Sequence, residues 1–476
     1  MKKRIPLDRA FTPRVVVVVG DKQANDYMWL RSLSTFTGKL YSVQIDPTEL
    51  PGIEELGVEN YYSLLDIPEA VDYVIIAVPR EITPRIISDC IDKGVGGASL
   101  FTSGFAETNT EEGRRLQEEI SRMANDAGLN LIGPNCMGVF NPRIGLRQEA
   151  SQYSGETGPV GFIAQSGTHA ILFSTVGHSN GINISRSVSY GNAAVLDSTD
   201  YLEYLAGDSD TRIIGMYMEG VRDGNRFLRC LRETTPKKPV VVWKGGRSEE
   251  GSRATASHTG VLSSSPILWA TALRQCGAVQ VHNLYEMVDT VKALLYLKPP
   301  AGNRVGLVAD SGGQSVVITD AFTGEGLRIP LLSKSSYKQF ASFFNVIGGS
   351  YLNPLDISWN LLETDGLTRI LTIVSGDRNI DTVVFEMSVP FLSQIWEHNP
   401  AYLYSLLETL AEFKTVCPKC FALVLTAGHK EAEALQIRHQ LAEMGLPCFP
   451  TFERAARAIK NITDYHRYHR ASTAAT

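Results

Sequence analysis

Short and nearly continuous apolar runs recur along the whole chain, separated by stretches with helical periodicity. Runs of this kind suit parallel strands that are covered on both faces, because neither face then meets water. The helical stretches are amphipathic; residues 111–127, for example, carry Leu116, Ile120 and Met123 on one stripe. The alternation of strand and helix favours α/β domains of the doubly wound type. The predicted strands are Val15–Val19, Tyr73–Val78, Val160–Ala164, Ile213–Met218, Val240–Trp243, Val305–Ala309, Thr382–Glu386 and Phe421–Leu425.

The length of 476 residues is enough for about three domains. A cluster of Ser, Gly and Gln without periodicity over residues 148–159 marks one boundary. The Pro- and Gly-containing segment over residues 298–302 marks a second, directly before a new predicted strand. We therefore expect domains at residues 1–148, 155–298 and 303–464, followed by a frayed tail at residues 465–476.

Composition excludes several classes of protein. Hydrophobic residues make up 43% of the chain and charged residues 20%, which fits ordinary globular domains rather than disorder. The formal net charge of −6 argues against general binding to nucleic acid. No apolar run approaches the roughly 18 to 20 residues that a membrane span needs. The basic start is followed by Pro6, Asp8 and Arg9, which break any signal-peptide core, so a cytoplasmic protein is expected.

The seven cysteines are scattered and odd in number, which suits a reducing compartment. Cys417 and Cys420 form a CxxC pair, but a zinc site needs further ligands at matching spacing, and the sequence offers no second pair. No metal site is therefore expected. Because Cys420 directly precedes a predicted strand, we interpret it as a buried strand cysteine.

The loops after the strands of the first domain are candidates for ligand binding. The dinucleotide fingerprint fails, because residues 20–25 contain only one glycine where GxGxxG has three, so NAD and FAD are not favoured. The other loops would lie along the carboxyl edge of a parallel sheet, where open α/β folds bind ligands. Each could also be a simple turn. The candidate residues are Gly20, Asp46, Pro79, Thr102, Ser103, Asn135 and Cys136.

A weak internal repeat places a Ser-Gly turn between a strand and a helix in two domains. The first turn contains Ser166 and Gly167, and the second contains Ser311, Gly312 and Gly313. A serine that caps a helix after a strand is common, so one such turn means little by itself. Two in matching places suggest two flavodoxin-like domains, each offering a helix N-terminus to an anion such as phosphate.

His258 stands in a segment rich in Gly, Ser and Ala, residues 244–260, which predicts a mobile loop. A neutral imidazole is a nucleophile near pH 7, so this histidine could carry a phosphoryl group between sites; an exposed histidine without a role is the alternative. Glu219 directly follows an apolar strand. Its carboxylate could accept the Nδ1–H of a histidine and leave Nε2 ready to attack, or it could be a solvated strand end.

These residues resemble a known family, the α subunit of ADP-forming acetyl-CoA and other acyl-CoA synthetases, which are relatives of succinyl-CoA synthetase. The similarity covers residues 5–460, and its most specific segments contain His258 and Asn135. The matching segments are 7–20, 132–138 with 141–142, 165–167, 190–192, 218–220, 256–260 and 353–356.

The resemblance implies a Rossmann-like CoA-binding domain followed by two flavodoxin-like ligase domains. It implies that His258 is phosphorylated and that Glu219 steadies it. It also implies an ATP-grasp β subunit, or a fused domain, that holds ATP or ADP with Mg, so a hetero-oligomer is expected and the chain alone should be an incomplete enzyme. The implied reaction reversibly converts acyl-CoA, phosphate and ADP into a small carboxylic acid, CoA and ATP through an acyl phosphate and a phosphohistidine.

The sequence departs from the family pattern in two places. The glycine-rich CoA loop is replaced by residues Asp21–Asn25, and Thr48 stands where a basic residue is expected after Pro47. Both changes concern how CoA binds. His258 and Glu219 are intact, which favours an active enzyme. The main alternative is a non-catalytic scaffold of the same fold that binds CoA or acyl-CoA, and a nicotinamide dehydrogenase is a second.

Overall fold

The computed structural model describes residues 4–251, 253, 265–358, 364–446 and 448–474. The chain divides into two compact units, residues 1–178 with 182–284 and residues 179–181 with 285–476. Within the described ranges the strands form three sheets, two in the first unit and one in the second. None of the helices in those ranges combines the length and the apolar character that crossing a membrane requires.

The first sheet is parallel throughout and has the Rossmann order β3-β2-β1-β4-β5-β6. The strand order reverses between β1 and β4, and crevices at such reversals are where open α/β sheets bind ligands. The five valines of β1 are all buried, as expected for a central strand covered by helices on both faces. The strands are β1 Val15–Val19, β2 Lys39–Val43, β3 Glu59–Tyr61, β4 Tyr73–Ile76, β5 Gly97–Leu100 and β6 Leu131–Ile132.

The second sheet has the order β12-β11-β10-β8-β9-β7, and its parallel strands follow the flavodoxin arrangement. Its edge strand β7 is antiparallel to β9 and pairs Gly138 with Ser189. This strand lies inside the segment expected to form the first domain, so the predicted boundary at residue 148 does not separate the two sheets. The strands are β7 Gly138–Phe140, β8 Val160–Ala164, β9 Ile184–Ser189, β10 Ile213–Met218, β11 Val240–Lys244 and β12 Val279–Val281.

The third sheet belongs to the second unit and repeats the flavodoxin arrangement in the order β14-β13-β15-β16-β17. All its pairings are parallel. The reversal of strand order lies between β13 and β15. The strands are β13 Val305–Ala309, β14 Leu355–Asp356, β15 Thr382–Ser388, β16 Cys420–Thr426 and β17 Cys448–Phe449.

Amphipathic helices cover these sheets. The helix Glu111–Ala127 shows why they form where they do: the hydroxyl of Thr110 caps the N–H of Gly113, and Leu116, Ile120 and Ala124 are buried on one face. The α-helices of the described residues are Asp8–Phe11, Met28–Ser32, Leu50–Glu55, Thr83–Lys93, Glu111–Ala127, Gly167–His178, Ser198–Gly207, Gly224–Thr234, Pro266–Gln275, Leu284–Tyr296, Gly312–Gly324, Lys334–Phe340, Thr364–Gly376, Val389–Trp396, Ala401–Val416, Glu431–Glu443 and Phe452–Ala474.

The last helix corrects one expectation from the sequence. Residues 465–474, predicted to be frayed, continue the helix Phe452–Ala474. The ring of Tyr465 is buried, and a guanidinium nitrogen of Arg470 donates a hydrogen bond to the carbonyl of Pro300 at 2.9 Å. The helix persists because it has packing and hydrogen-bond partners that the run of basic and small residues does not reveal.

The cysteines of the CxxC pair are buried, as are the other five of the chain. Cys420 opens β16, which agrees with its interpretation as a strand cysteine. Burial raises the pKa of the Cys420 thiol to about 12, so this side chain is protonated at neutral pH.

Candidate functional site

A cavity of about 390 Å³ opens at the reversal of strand order in the first sheet. Its walls come from the loops that follow β1, β4 and β5, and from the helix Met28–Ser32. Cavities of this size hold cofactors and other small organic molecules. The lining residues are Gly20, Asp21, Lys22, Asn25, Met28, Trp29, Ala77, Val78, Pro79, Phe101, Thr102, Ser103 and Asn135.

Most of the CoA-binding candidates from the sequence lie on this cavity: Gly20, Pro79, Thr102, Ser103 and Asn135. They come together because the carboxyl ends of parallel strands share one edge of the sheet. The hydroxyl of Thr102 donates to the carbonyl of Val78 at 2.6 Å and ties two of the loops together.

Two other candidates lie elsewhere. Asp46 is exposed and is not part of the cavity wall; its Oδ1 accepts hydrogen bonds from the N–H and the hydroxyl of Thr48. Cys136 is buried, with its thiol 3.5 Å from the carbonyl oxygens of Leu100 and Ile132. Burial raises the pKa of this thiol to about 12. Asp46 therefore shapes its own loop and Cys136 packs behind the cavity.

Asp21 explains how the chain closes this loop without the glycines of the dinucleotide fingerprint. Its buried carboxylate accepts the backbone N–H groups of Trp29 and Leu30 at 3.0 and 2.9 Å. These are donors at the start of a short helix, where a bound anion would otherwise be favourable. Burial nevertheless raises the pKa of Asp21. The protein thus supplies its own acceptor here, and Lys22 is the one cationic residue on the described wall of the cavity.

The segment that follows Asn135 connects the cavity to the second sheet. The N–H of Met137 donates to the hydroxyl of Ser189 at 3.1 Å, at the end of β9. A Cβ atom built on Gly167 would lie 2.6 Å from the side chain of Met137, so only glycine allows this approach. The N–H of Asn192 also donates to the carbonyl of Pro134 at 3.0 Å. The cavity and the helix Gly167–His178 are therefore separated by a few residues of continuous structure.

Glu219 lies at the reversal of strand order in the second sheet, directly after β10. It is only 6% exposed, so it is not the solvated strand end that the sequence left open. The hydroxyl of Tyr217 donates to its Oε1 at 3.0 Å. The side-chain oxygen of Gln165 accepts the N–H groups of Glu219 and Gly220 at 2.8 and 3.3 Å. Tyr217 thus holds the carboxylate, and Gln165 holds the backbone of Glu219 against the end of β8.

The first turn of the helix Gly167–His178 contacts Tyr217, the residue that donates to this carboxylate. The N–H of His169 points to the hydroxyl of Ser166 at 3.4 Å, which caps the helix. The His169 ring packs against the rings of Tyr217 and Trp243, with centroids 4.2 and 4.5 Å apart. Polar and aromatic side chains therefore surround a helix N-terminus that can receive an anion.

Lys244 brings a buried positive charge to the same edge. It ends β11, pairs in register with Met218 and is 5% exposed. Its Nζ donates to the carbonyl of Gly245 at 2.5 Å. Burial lowers the pKa of Lys244, and the Glu219 carboxylate opposes that shift. The carboxylate thus has a cation close by in a poorly solvated setting, where the charges interact more strongly than in water.

Ser311, Gly312 and Gly313 lie in the second unit, at the start of the helix Gly312–Gly324. The Ser311 hydroxyl caps the N–H of Gln314 at 3.4 Å, as Ser166 does in the first unit. His258, predicted to carry the phosphoryl group, lies outside the described residues, as do residues 252 and 254–260 of its loop.

Several residues of the site were not found from the sequence. Tyr217 and Gln165 hold Glu219, yet each reads as an ordinary residue of a strand end. The alternation of side chains along a strand could have indicated Tyr217, because residues two apart share a face. Lys22 lies in the loop over residues 20–25, which was interpreted only by its lack of the fingerprint glycines, so its charge was not considered.

Comparison with known proteins matches two family models within the first unit. A CoA-binding domain family matches residues 14–142, and a succinyl-CoA ligase-like flavodoxin domain family matches residues 157–294. The α subunit of acetate–CoA ligase [ADP-forming] II from Pyrococcus furiosus is 34% identical over 391 residues, which is 81% of this chain and 83% of that protein.

Two further similarities extend this comparison. Acetate–CoA ligase [ADP-forming] I from Archaeoglobus fulgidus is 36% identical over 383 residues, and the aligned part is 79% of this chain but only 54% of that protein. This chain therefore spans about half the length of that relative. An acetyl-coenzyme A synthetase from Ca. Korarchaeum cryptofilum, solved with phosphate and ADP, superposes with a TM-score of 0.83 at 28% identity over 99% of both chains.

Proposed function

Because the chain belongs to the family of ADP-forming acetate–CoA ligases and their α subunits, we propose that it is the CoA-handling part of an ADP-forming acyl-CoA synthetase and that His258 carries the phosphoryl group. The observation that carries this proposal is the continuity between the first-sheet cavity and the Ser166–Gly167 turn through Asn135 and Met137. A thioester bound in the cavity has an anion site beside it.

CoA binds in the cavity, where Asn135, Thr102 and Ser103 supply polar groups and Lys22 faces the phosphates. Asp21 fills the start of the helix Met28–Ser32, so the phosphates of CoA contact Lys22 rather than that helix. NAD is not a ligand in this proposal, because its pyrophosphate would need the same helix start. Calorimetry on the full chain is expected to give saturable CoA binding, and NAD binding without CoA binding would contradict the assignment.

The chemistry proceeds in three reversible steps. Phosphate held at the Ser166–Gly167 turn attacks the thioester carbonyl, the carbon–sulfur bond breaks, and CoA leaves as the thiol. His258 Nε2 then attacks the phosphorus of the acyl phosphate, and the carboxylic acid leaves. Finally the phosphoryl group passes from His258 to ADP, which gives ATP. Ser311, Gly312 and Gly313 form the second anion site of this sequence.

Glu219 orients the histidine during the second step. A carboxylate that accepts Nδ1–H fixes the tautomer, leaves Nε2 available and stabilises the positive charge that develops on the ring. Tyr217 and Gln165 hold that carboxylate and its backbone in place, so little reorganisation is needed during the transfer. Lys244 keeps the local charge balanced before the phosphoryl group arrives.

The test is phosphorylation of the full chain with an acyl phosphate, followed by mass spectrometry that preserves acid-labile phosphate. Phosphate on His258, its loss in His258→Ala and its retention in His398→Ala are the expected results; His398 is an exposed histidine of the second unit. A phosphate on another residue, or full turnover by His258→Ala, would overturn the assignment. A chain that binds CoA but is never phosphorylated would instead be a non-catalytic scaffold.

The nucleotide site, with ADP or ATP and Mg, belongs to an ATP-grasp subunit or domain that works with this chain. The proposal therefore expects a hetero-oligomer, or a longer polypeptide, as the active form. The chain of 476 residues tested by itself should accept phosphate from an acyl phosphate but should not make ATP from it. Robust ATP synthesis by this chain alone would contradict the placement of the nucleotide site on another subunit or domain.

A further inference from the structure

The two flavodoxin sheets differ sharply in charge at equivalent positions of their strand reversals. In the first unit the residue directly after β8 is Gln165, and Tyr217 of β10 pairs with the last residue of β8. In the second unit the residue directly after β13 is Asp310, and Glu386 of β15 lies one residue beyond the pair Val308–Phe385. Two carboxyl groups thus occupy the positions that an amide and a phenol hold in the first unit.

Both carboxyl groups are deeply buried. Glu386 has no solvent exposure and Asp310 is 4% exposed. They lie within hydrogen-bonding reach of each other. Two ionised carboxylates at such a distance would repel each other in a setting that cannot solvate them, so one of them must hold a proton.

The hydrogen-bond partners of the pair agree with a shared proton. The hydroxyl of Thr426 donates to Oε1 of Glu386 at 3.2 Å, and Ser388 donates to Asp310. Within the described ranges, Oδ2 of Asp310 and Oε2 of Glu386 have no donor. A single proton between the carboxyl groups supplies the missing donor. The backbone N–H of Asp310 also donates to Glu386, and the largest influences on the two carboxyl groups include no Lys, Arg or His.

The pair stands at the start of the helix Gly312–Gly324, whose N-terminus carries the second Ser-Gly turn. Asp356 of β14 also lies at this edge: a Cβ on Gly312 would lie 2.9 Å from its Oδ2. The first turn of the helix contains no acidic residue. An anion bound at this turn would be repelled by the carboxylate of Asp356 and by the negative charge of the pair Asp310–Glu386. The charge of the pair depends on how many protons it holds.

We propose that Asp310 and Glu386 share one proton, and that this proton makes the turn at Ser311, Gly312 and Gly313 able to bind an anion. The proposal rests on the proposed phosphate-binding role of that turn and adds its regulation. Loss of the proton adds a negative charge at the helix N-terminus, which offsets the attraction of the helix dipole for a phosphate or phosphoryl group. Anion binding in the second unit then weakens as pH rises, whereas the first-unit turn has the neutral Gln165 in place of Asp310 and so lacks a carboxyl pair of this kind.

Burial, followed by the charge of Asp310, raises the pKa of Glu386 to about 8, and burial raises the pKa of Asp310. The transition therefore falls in a range where enzymes are assayed. It is a property of the pair rather than of either residue, because the two groups titrate together.

The experiment measures sulfate binding to the full chain by the carbon-13 NMR signals of Gly312 and Gly313, which remain visible at alkaline pH, with Gly167 as the reference for a turn that lacks the carboxyl pair. Sulfate stays a dianion throughout, so its own titration does not interfere. In the wild type we expect sulfate to bind Gly312 at least about tenfold more weakly at about pH 9.5 than at about pH 6.5. Glu386→Gln, which keeps the shape and cannot ionise, should bind equally at both pH values, and Asp310→Asn provides a second variant in case the first fails to fold.

Infrared spectroscopy detects the protonated carboxyl group directly. The wild type should show a protonated-carboxyl band near neutral pH that disappears at higher pH, and Glu386→Gln should lack it. Equal sulfate binding at both pH values in the wild type, pH-dependent binding in a folded Glu386→Gln, or absence of the band would overturn the proposal. Absence of sulfate binding at Gly312 at every pH would also overturn the proposal, because the turn would then not bind phosphate. Phosphorylation of His258 tests the proposed function separately.

Discussion

The hydroxyl of Tyr217 donates a hydrogen bond to the buried carboxylate of Glu219, two residues further along the chain, at 3.0 Å. The two side chains share a face because side chains alternate along an extended strand. Burial, followed by the charge of Glu219, raises the pKa of Tyr217, so the phenol remains a donor at any pH at which the enzyme would work. The pair is a preformed support for whatever group Glu219 binds.

Tyr217→Phe tests this support. A hydrogen bond to a charged group contributes roughly 1.5–3 kcal/mol, so its loss should slow phosphorylation of His258 roughly 10-fold to 100-fold without unfolding the protein. Rapid-quench measurement of acid-labile phosphate gives the rate. Tyr204→Phe is the matched control, because Tyr204 donates to Asp8 elsewhere in the same unit. Equal rates for the two variants would show that Tyr217 only fills space.

Lys22→Ala tests how the cavity binds CoA. Removal of a charge-assisted contact to phosphate should weaken CoA binding roughly tenfold, and the loss should shrink at high salt. Isothermal titration calorimetry on the full chain measures it. Lys39→Ala removes the same charge from β2, where Lys39 pairs with Glu69 away from the cavity, and should bind CoA as the wild type does. If both variants bind CoA equally well, Lys22 does not contact the phosphates.

Asp21→Ala should destabilise the loop between β1 and the helix Met28–Ser32. The change leaves the N–H groups of Trp29 and Leu30 without their acceptor in a buried place, which costs about 2–4 kcal/mol for the two together. Hydrogen exchange of these two amides, which reports on local opening, is the measurement. Asp21→Asn keeps one acceptor oxygen and should lose less. Unchanged protection in Asp21→Ala would mean that water replaces the carboxylate without cost.

The raised pKa of Glu386 predicts how the stability of the second unit depends on pH. Its pKa is raised from 4.5 to about 8 in the folded state, so between these values the folded chain binds a proton that the unfolded chain has lost. The free energy of unfolding therefore falls as pH rises through this window, by up to about 1.4 kcal/mol per pH unit. The contribution is complete below pH 4.5 and is lost above about pH 8.

Urea unfolding of the wild type and of Glu386→Gln across this pH range checks that sign. The variant should show a flatter dependence, because an amide cannot release a proton. Glu397→Gln is the control: Glu397 pairs with Lys430 on the surface of the same unit, and its removal should leave the slope between neutral and alkaline pH unchanged. A wild-type stability that rises through this window would contradict the shared proton.

The strands could be predicted closely from the sequence because central parallel strands must be apolar on both faces. Val15–Val19, Val160–Ala164, Ile213–Met218 and Val305–Ala309 were placed at their observed bounds. The edge strand β3, Glu59–Tyr61, was not predicted, since one side meets solvent and the apolar signal fades. The interior strands β2, β5 and β9 were also not predicted, because polar or small residues interrupt their apolar runs. The antiparallel β7 was missed for a different reason: its partner β9 lies far along the chain, and pairing at that distance leaves no local pattern.

The candidate site could be predicted in part. Strand ends identify a shared edge, which is how Asn135, Thr102 and Pro79 were chosen and why they meet at one cavity. The direction of a side chain within its loop cannot be found in this way. Asp46 turns to its own neighbour Thr48, and Cys136 turns inward, because hydrogen bonds and packing within each loop decide that direction.

The pairing of β7 with β9 also limits where recombination can divide the gene. Gly138–Phe140 precedes the boundary expected near residues 148–159, yet it forms the edge of the second sheet, and the hydroxyl of Tyr73 accepts a hydrogen bond from the N–H of Val139. A recombination event that divided the gene at this boundary would leave β9 with an uncovered edge open to aggregation. A segment that carries the second sheet with its edge covered must therefore begin before Gly138, inside the part of the chain that matches the CoA-binding family.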